Sequence, residues 1–197
     1  IITDGLVVTQ GRVAAGTIAV QDGRIAGILE PNHRPESSRQ ISAKGMHVIP
    51  GLIDSHVHLR SPGDEEREDP ISGTSAAAAG GITTLLEMPI SSIPASSADG
   101  LEKRAAAIQS QSLIDFGLYG GAGHQNIDLI PEIAGAGAVA FKTFLTAPPI
   151  HRAREFFGLW CLDYGLLRDV MAATAATGLR HCFHCDCLLY TSPSPRD

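Results

Sequence analysis

The sequence has no apolar run long enough to cross a bilayer, no block of basic residues and few aromatics, which make up 5% of it. The missing run excludes a membrane-spanning helix. Fifteen Lys and Arg against 21 Asp and Glu leave a formal net charge of −6, so there is no general attraction to nucleic acid or anionic lipid. Only 4 cysteines occur, and three crowd between Cys182 and Cys187, which is not a spaced disulfide framework. With nothing at the start that reads as a secretion signal, a reducing cytoplasm is the expected setting. Neither is there an initiating methionine: the chain begins IITDGLVV, inside what reads as a strand, and is expected to be a piece of a longer protein. What is present is 44% hydrophobic and 18% charged residues over 197 positions, the balance of a soluble globular protein. Abundant alanine and glycine suit closely packed α/β layers. The length allows one good core, or a small domain plus part of a larger one.

Along the chain the hydrophobic rhythm changes once. Up to about Pro50, short apolar runs (LVV, TIAV, RIAGIL) are separated by TQGRVAAG and QDG, where Gly and Asp supply turn conformations. A polar loop, Pro31–Gln40, precedes further extended structure in ISAKGMHVIPG. This region, 1–50, is expected to be a small antiparallel layer. From Val48 on, apolar strand-like runs alternate with helical segments: VIPGLIDSHVH, an alanine-rich helix over Ser72–Gly81, GITTLLEMP, SADGLEKRAAAIQSQS, IDFGLYGGAG, NIDLIPEIAGAG, AVAFKTFL, LLRDVMAATAATG and LRHCFHC. Five strands with four intervening helices at this spacing predict βα units and a parallel sheet, its strands apolar because both faces are covered.

Three features in 51–186 could carry chemistry. His56 and His58 stand two apart on a strand, so both imidazoles project to one face with Val57 opposite. Imidazole suits zinc and related ions, although a satisfied pair at a strand end would leave the same trace. Lys142 lies inside the apolar AVAFKTFL, where a charged amine is costly. It either snorkels to solvent or has a depressed pKa and a reactive neutral amine. With carbon dioxide that amine gives a carbamate, a carboxylate-like group long enough to bridge two ions. His184, on the fifth strand, shares parity with Cys182 and Asp186, whereas His181, Phe183 and Cys185 face the other way. Two other patterns are weaker. Gly120–Gly123 follows a strand but lacks the dinucleotide fingerprint and reads as a tight βα loop. Cys182, Cys185 and Cys187 with two histidines invite a zinc reading, but strand alternation splits them between faces and no second ligand pair follows at zinc-finger spacing.

Assembled, Gly51–Gly63 (GLIDSHVHLRSPG), Glu68–Pro89 and Gly137–Phe144 (GAVAFKTF) resemble the cyclic amidohydrolases, the allantoinase, dihydroorotase and hydantoinase branch of the amidohydrolase superfamily. The resemblance implies an α/β fold: an incomplete (β/α)8 TIM-type barrel with about five strands present, preceded by a small β-sandwich segment. Its sites lie at the C-terminal strand ends. It implies two divalent metal ions, expected to be zinc, held by His56, His58, a carboxylated Lys142 and His184, with ring opening by a hydroxide shared between the ions. Arg60 matches the arginine that holds the substrate carboxylate in dihydroorotases. A small cyclic amide or ureide is the implied substrate, and a dimer or tetramer the implied assembly.

The loop after the second strand, MPISSIP, has the length seen in allantoinases, with Ser91 where those enzymes carry a substrate-contacting asparagine. An allantoinase-like activity is therefore expected, ahead of dihydroorotase or hydantoinase/dihydropyrimidinase and of a non-catalytic scaffold relative. The family's sixth-strand histidine and eighth-strand proton-transferring aspartate are not in this sequence, so the 197-residue chain alone is expected to be inactive. The last residues, Cys187–Asp197 (CLLYTSPSPRD), match the translation of a transposase-end sequencing adapter and are expected not to be native.

Overall fold

The computed structural model describes residues 1–185. Asp186 and the expected adapter-derived stretch, with Cys187, lie outside the described residues. The chain divides into two compact units, Ile1–Gly51 and Leu52 onward.

The first unit is one five-stranded sheet. Strands β1 (Ile2–Thr9), β2 (Arg12–Gln21) and β3 (Arg24–Leu29) form an antiparallel meander. Its second turn is made by Asp22 and Gly23, both with positive φ (51° and 73°), the backbone that an Asp-Gly hairpin turn of the twisted kind needs. The sheet is not wholly antiparallel as expected. The short strands β4 (Ile41–Ser42) and β5 (His47–Val48) both pair with β1 in parallel. After β3 the Pro31–Gln40 segment carries the chain back to the free edge of β1, so the returning strands run in the β1 direction rather than against it.

The second unit is a parallel sheet in the order β10-β9-β8-β7-β6, formed by β6 (Leu52–Val57), β7 (Ile82–Glu87), β8 (Asp115–Gly121), β9 (Ala140–Phe144) and β10 (Arg180–His184). Four helices alternate with these strands: α1 (Pro70–Ala79), α2 (Ala98–Gln109), α3 (Ile130–Gly135) and α4 (Tyr164–Ala176). Helix starts are fixed by side chains that accept orphan backbone N–H groups. Asp69 accepts from Ser72 N at 2.8 Å, Ser97 from Gly100 N at 3.1 Å and Asp163 from Leu166 N at 2.9 Å. Pro70 occupies the first turn of α1, where its missing N–H costs nothing.

Strand alternation builds two layers of packing. Leu85, Leu118 and Phe141 point to the helices and join Leu101, Ile108, Ile133 and Val170 in the main core. Their neighbours Leu86, Tyr119 and Ala140 point the other way and pack with Met88 and Cys182. Beyond this inner layer, toward the C-terminal strand ends, lie Lys142 and Phe144. All of β9 is buried, whereas the edge strand β6 is largely exposed. The apolar strand pattern therefore reflects full covering only in the centre of the sheet. One element had no sequence counterpart: a 3-10 segment, Ile150–Phe156, inside the long β9–α4 connection.

Candidate active site

A cavity of about 480 Å³ opens at the C-terminal strand ends, and its walls include His56, His58, Arg60, Lys142, Phe144 and His184. Five of the six residues singled out from sequence thus meet in one place. The histidine pair behaves as strand alternation requires. The rings of His56 and His58 lie on one side with centroids 5.4 Å apart, and Val57 packs into the main core on the other. Asp54 holds the strand end by accepting a hydrogen bond from His56 N at 3.0 Å.

His56, His58 and Lys142 are held toward their neutral forms. Burial pushes the His58 ring down to about 4, helped by the Arg60 charge, and its Nδ1 is buried without a hydrogen-bond partner. His56 is lowered by burial and then by Lys142. Lys142 is 5% exposed; burial depresses its pKa against the opposing pull of Cys182 and Cys185. Its Nζ sits 5.3 Å from the Phe144 ring centroid and has no carboxylate partner among the described residues. His184 lies against Phe144 with its ring tilted by 40° and centroids 5.1 Å apart.

This donor set suits divalent ions with one condition. Among the described residues no three His, Cys, Asp or Glu side chains converge closely enough to hold an ion by themselves. The additional group in the cavity is the buried, uncompensated Lys142 amine. Carbon dioxide would turn it from a costly cation into an anionic oxygen donor beside neutral imidazoles, one of which has a buried unpartnered nitrogen. The residues present fit the implied metals once Lys142 is carboxylated.

The remaining wall is apolar and aromatic. Ile90, Phe144, Phe156 and Leu159 form a buried cluster with Trp160 against it; Phe144 and Phe156 meet edge-on at 5.0 Å. At the rim Arg60 adopts a left-handed backbone conformation, φ 57°, with Nη1 buried and unpartnered. Arg152 of the 3-10 segment also lines the cavity, bound through Nε and Nη2 to Glu155 at 3.0 and 2.5 Å.

Ser91 is not brought to the cavity. It is fully buried, and its hydroxyl donates to Ile93 O at 2.5 Å and accepts from Ile93 N at 3.1 Å. A serine is short enough to close this local turn on its own backbone. Among the described residues Cys182 and Cys185 do not form a site either: Cys182 Sγ approaches the Tyr119 hydroxyl at 3.8 Å, and Cys185 is exposed. Of Gly120–Gly123, expected to be a tight loop, Gly120 and Gly121 instead end strand β8; beyond them a Cβ on Gly123 would lie 2.8 Å from the Trp160 backbone.

Sequence reasoning passed over Arg152 and a buried ion pair beneath the site. Glu87 ends β7 and accepts from Arg104 Nη2 of α2 and from Leu59 N, each at 2.7 Å. Both charged side chains are fully buried. Burial pushes the Glu87 carboxyl up while Arg104 and the Leu59 N–H pull it back. The available signal was a glutamate closing the apolar run ITTLLE together with an arginine on the apolar stripe Leu101, Arg104, Ile108.

Comparison with known proteins places this geometry. Allantoinase of Solibacter usitatus is 36% identical over 147 residues, 74% of this chain and 32% of that protein. Allantoinase of Bacillus velezensis is 37% identical over the same length and shares of each chain. The chain therefore spans about a third of the length of these curated relatives. Among solved structures, the L-hydantoinase (dihydropyrimidinase) from Arthrobacter aurescens is 29% identical with a TM-score of 0.84, over 94% of this chain and 40% of that one. Dihydropyrimidinase from Brevibacillus agri NCHU1002, at 21% identity and a TM-score of 0.75 over 93% of this chain and 39% of its own, shares the fold. The curled parallel sheet is accordingly an incomplete (β/α)8 barrel. Residues 47–186 match the Amidohydrolase family, and the chain belongs to that family.

Proposed function

We propose that the protein containing this chain hydrolyses the C–N bond of a cyclic amide or ureide, with allantoin-like ureides as its substrate class. The observation that carries this reading is the convergence of His56, His58, Lys142 and His184 on one cavity with Arg60 at its rim. Similarity to allantoinases and to an L-hydantoinase supports the reaction class.

Two divalent ions, zinc by the imidazole-rich donor set, would supply Lewis acidity to the carbonyl and acidify a bound water. The protein's own groups divide the remaining work. His56 and His58 present neutral imidazoles, which burial keeps unprotonated. In its neutral form the Lys142 amine would add to carbon dioxide, forming an N–C bond and releasing one proton, and the resulting carbamate would serve as an anionic oxygen donor to the ions. His184, beside Phe144 in the cavity wall, supplies a further imidazole. The Ile90, Phe144 and Phe156 wall excludes bulk water and strengthens electrostatic interactions inside the cavity. Arg60, with a buried unpartnered Nη1, binds the exocyclic substituent of the ring. Ser91, tied to Ile93, shapes its loop rather than touching the substrate.

A second reading, dihydroorotase, is favoured by one observation: two guanidinium groups, Arg60 and Arg152, line the same cavity, an arrangement suited to a carboxylate substituent. A substrate panel on the full-length, zinc-loaded protein separates the two. Ring opening of allantoin without turnover of dihydroorotate supports the first reading, and the reverse supports the second. No turnover of any cyclic amide by a protein carrying two equivalents of metal would remove both.

A further inference from the structure

The loop that carries His58 and Arg60 is held by a buried side chain at the Leu59 backbone N–H. Leu59, between them, is fully buried, and its N–H donates to Glu87 Oε2 at 2.7 Å. The other carboxylate oxygen of Glu87 accepts from Arg104 Nη2, also at 2.7 Å, which offsets the buried charge. On the side-chain side, Leu59 Cδ2 fills the space over Gly73, where a Cβ would come within 2.5 Å of it. Immediately after Leu59 the chain turns through the left-handed region at Arg60. A non-glycine residue stays there only when its surroundings over-determine the backbone.

We infer that Glu87 is a positioning residue whose side-chain oxygen fixes the Leu59 N–H and thereby aims His58 and Arg60 into the cavity, while Arg104 offsets the charge of the buried carboxylate that supplies it. Neither Glu87 nor Arg104 lines that cavity, so the pair acts through the backbone. The alternative role for a buried ion pair, stability alone, is a weak one, because such pairs are often replaceable by apolar groups of similar volume. What an apolar replacement cannot supply here is the acceptor for Leu59. In sites of this kind, loss of a supporting hydrogen bond costs about 10–100-fold in metal affinity. That readout rests on the metal-binding reading proposed above.

Two double variants of the full-length protein that contains this chain differ only in that acceptor. Glu87→Gln with Arg104→Met removes both charges and keeps an oxygen for the Leu59 N–H. Glu87→Met with Arg104→Met removes the charges and the oxygen. Backbone amide resonances of His58, Leu59 and Arg60 in metal-free protein, and Co²⁺ affinity by titration, are the measurements. The expected result is that Glu87→Gln/Arg104→Met keeps wild-type resonances and affinity. Glu87→Met/Arg104→Met should shift all three resonances and weaken Co²⁺ binding about 10–100-fold at a similar thermal midpoint. The inference is overturned if the two variants behave alike, or if Glu87→Gln/Arg104→Met, which alone suffices should the other fail to fold, loses the wild-type resonances. Wild-type protein that binds no Co²⁺ would count against the metal reading, and the metal-free resonances would then decide the positioning role by themselves.

Discussion

His181 should make the fold acid-sensitive in a window that a single substitution can isolate. Its Nε2 lies 2.7 Å from Thr143 Oγ1, and the Thr143 hydroxyl donates its only proton to Ala122 O. Nε2 must therefore be the ring's donor, leaving the Nδ1 lone pair buried with no partner. Protonation would place a charged N–H where nothing accepts it, and burial accordingly lowers the pKa from 6.5 to about 4. Because the folded value is depressed, the unfolded chain binds more protons between these limits. The contribution is fully present above pH 6.5 and is lost as pH falls toward 4. A drop of about 2.5 units at about 1.4 kcal/mol each sets a ceiling near ~3.5 kcal/mol. At pH 5 only part of that is expressed, and the ring is half-buried, so about 1–2 kcal/mol is expected after discounting for solvent. His181→Gln retains a donor for Thr143 and removes the titration. Urea midpoints measured at pH 7.5 and pH 5 should fall further in wild type than in the variant, by that amount. His58, lowered in the same range, titrates in both proteins and cancels. Parallel curves for the two proteins would refute the assigned tautomer and the buried, unpartnered Nδ1.

Three further outcomes follow from the same packing. Lys142→Met should abolish stoichiometric zinc binding, read by elemental analysis, while leaving the thermal midpoint equal or higher, because an apolar chain replaces a buried cation without a carboxylate partner. Asn126→Ala should cost about 2–4 kcal/mol in chemical denaturation. It strips the partner from Gly123 N, Ser96 O and Gly121 O, all buried bonds between 2.9 and 3.0 Å. Gly73→Ala should destabilise by about 1–3 kcal/mol, since its methyl would meet Leu59 Cδ2 at 2.5 Å; a wild-type midpoint would mean that Leu59 is free to move.

The residues legible in the sequence were those whose position is set by period. His56, His58, Lys142 and His184 sit on or just beyond strands, where alternation assigns a face, and the cavity collects all four. Arg152 and Phe156 belong to a 3-10 segment inside a long connection, where no repeat announces which side chains turn inward. Ser91 marks a different limit. Loop length aligned it with a contacting residue, but the alignment could not register that a hydroxyl on a short stem satisfies itself on Ile93. The parallel pairing of β4 and β5 was equally hidden. Strand direction after a ten-residue loop depends on which edge the chain returns to, not on the residues within the strand.

Glu87 and Arg104 occupy an intermediate case that bears on how such sites are read. Each alone is an anomaly of pattern, an acid ending an apolar strand and a base on an apolar helix stripe. A buried acid and a buried base are each costly, and opposite charges on adjoining elements of a βα unit offset that cost only by meeting. Two such anomalies in consecutive elements therefore predict a contact, and here they make one at 2.7 Å. The pair spans strand β7 and helix α2, and its remaining oxygen reaches the loop of a third element. The cavity face could thus be read from side chains that point into it. The support beneath it required pairing charges that point away from it, and only the structure adds that the second oxygen of Glu87 accepts from the backbone between His58 and Arg60.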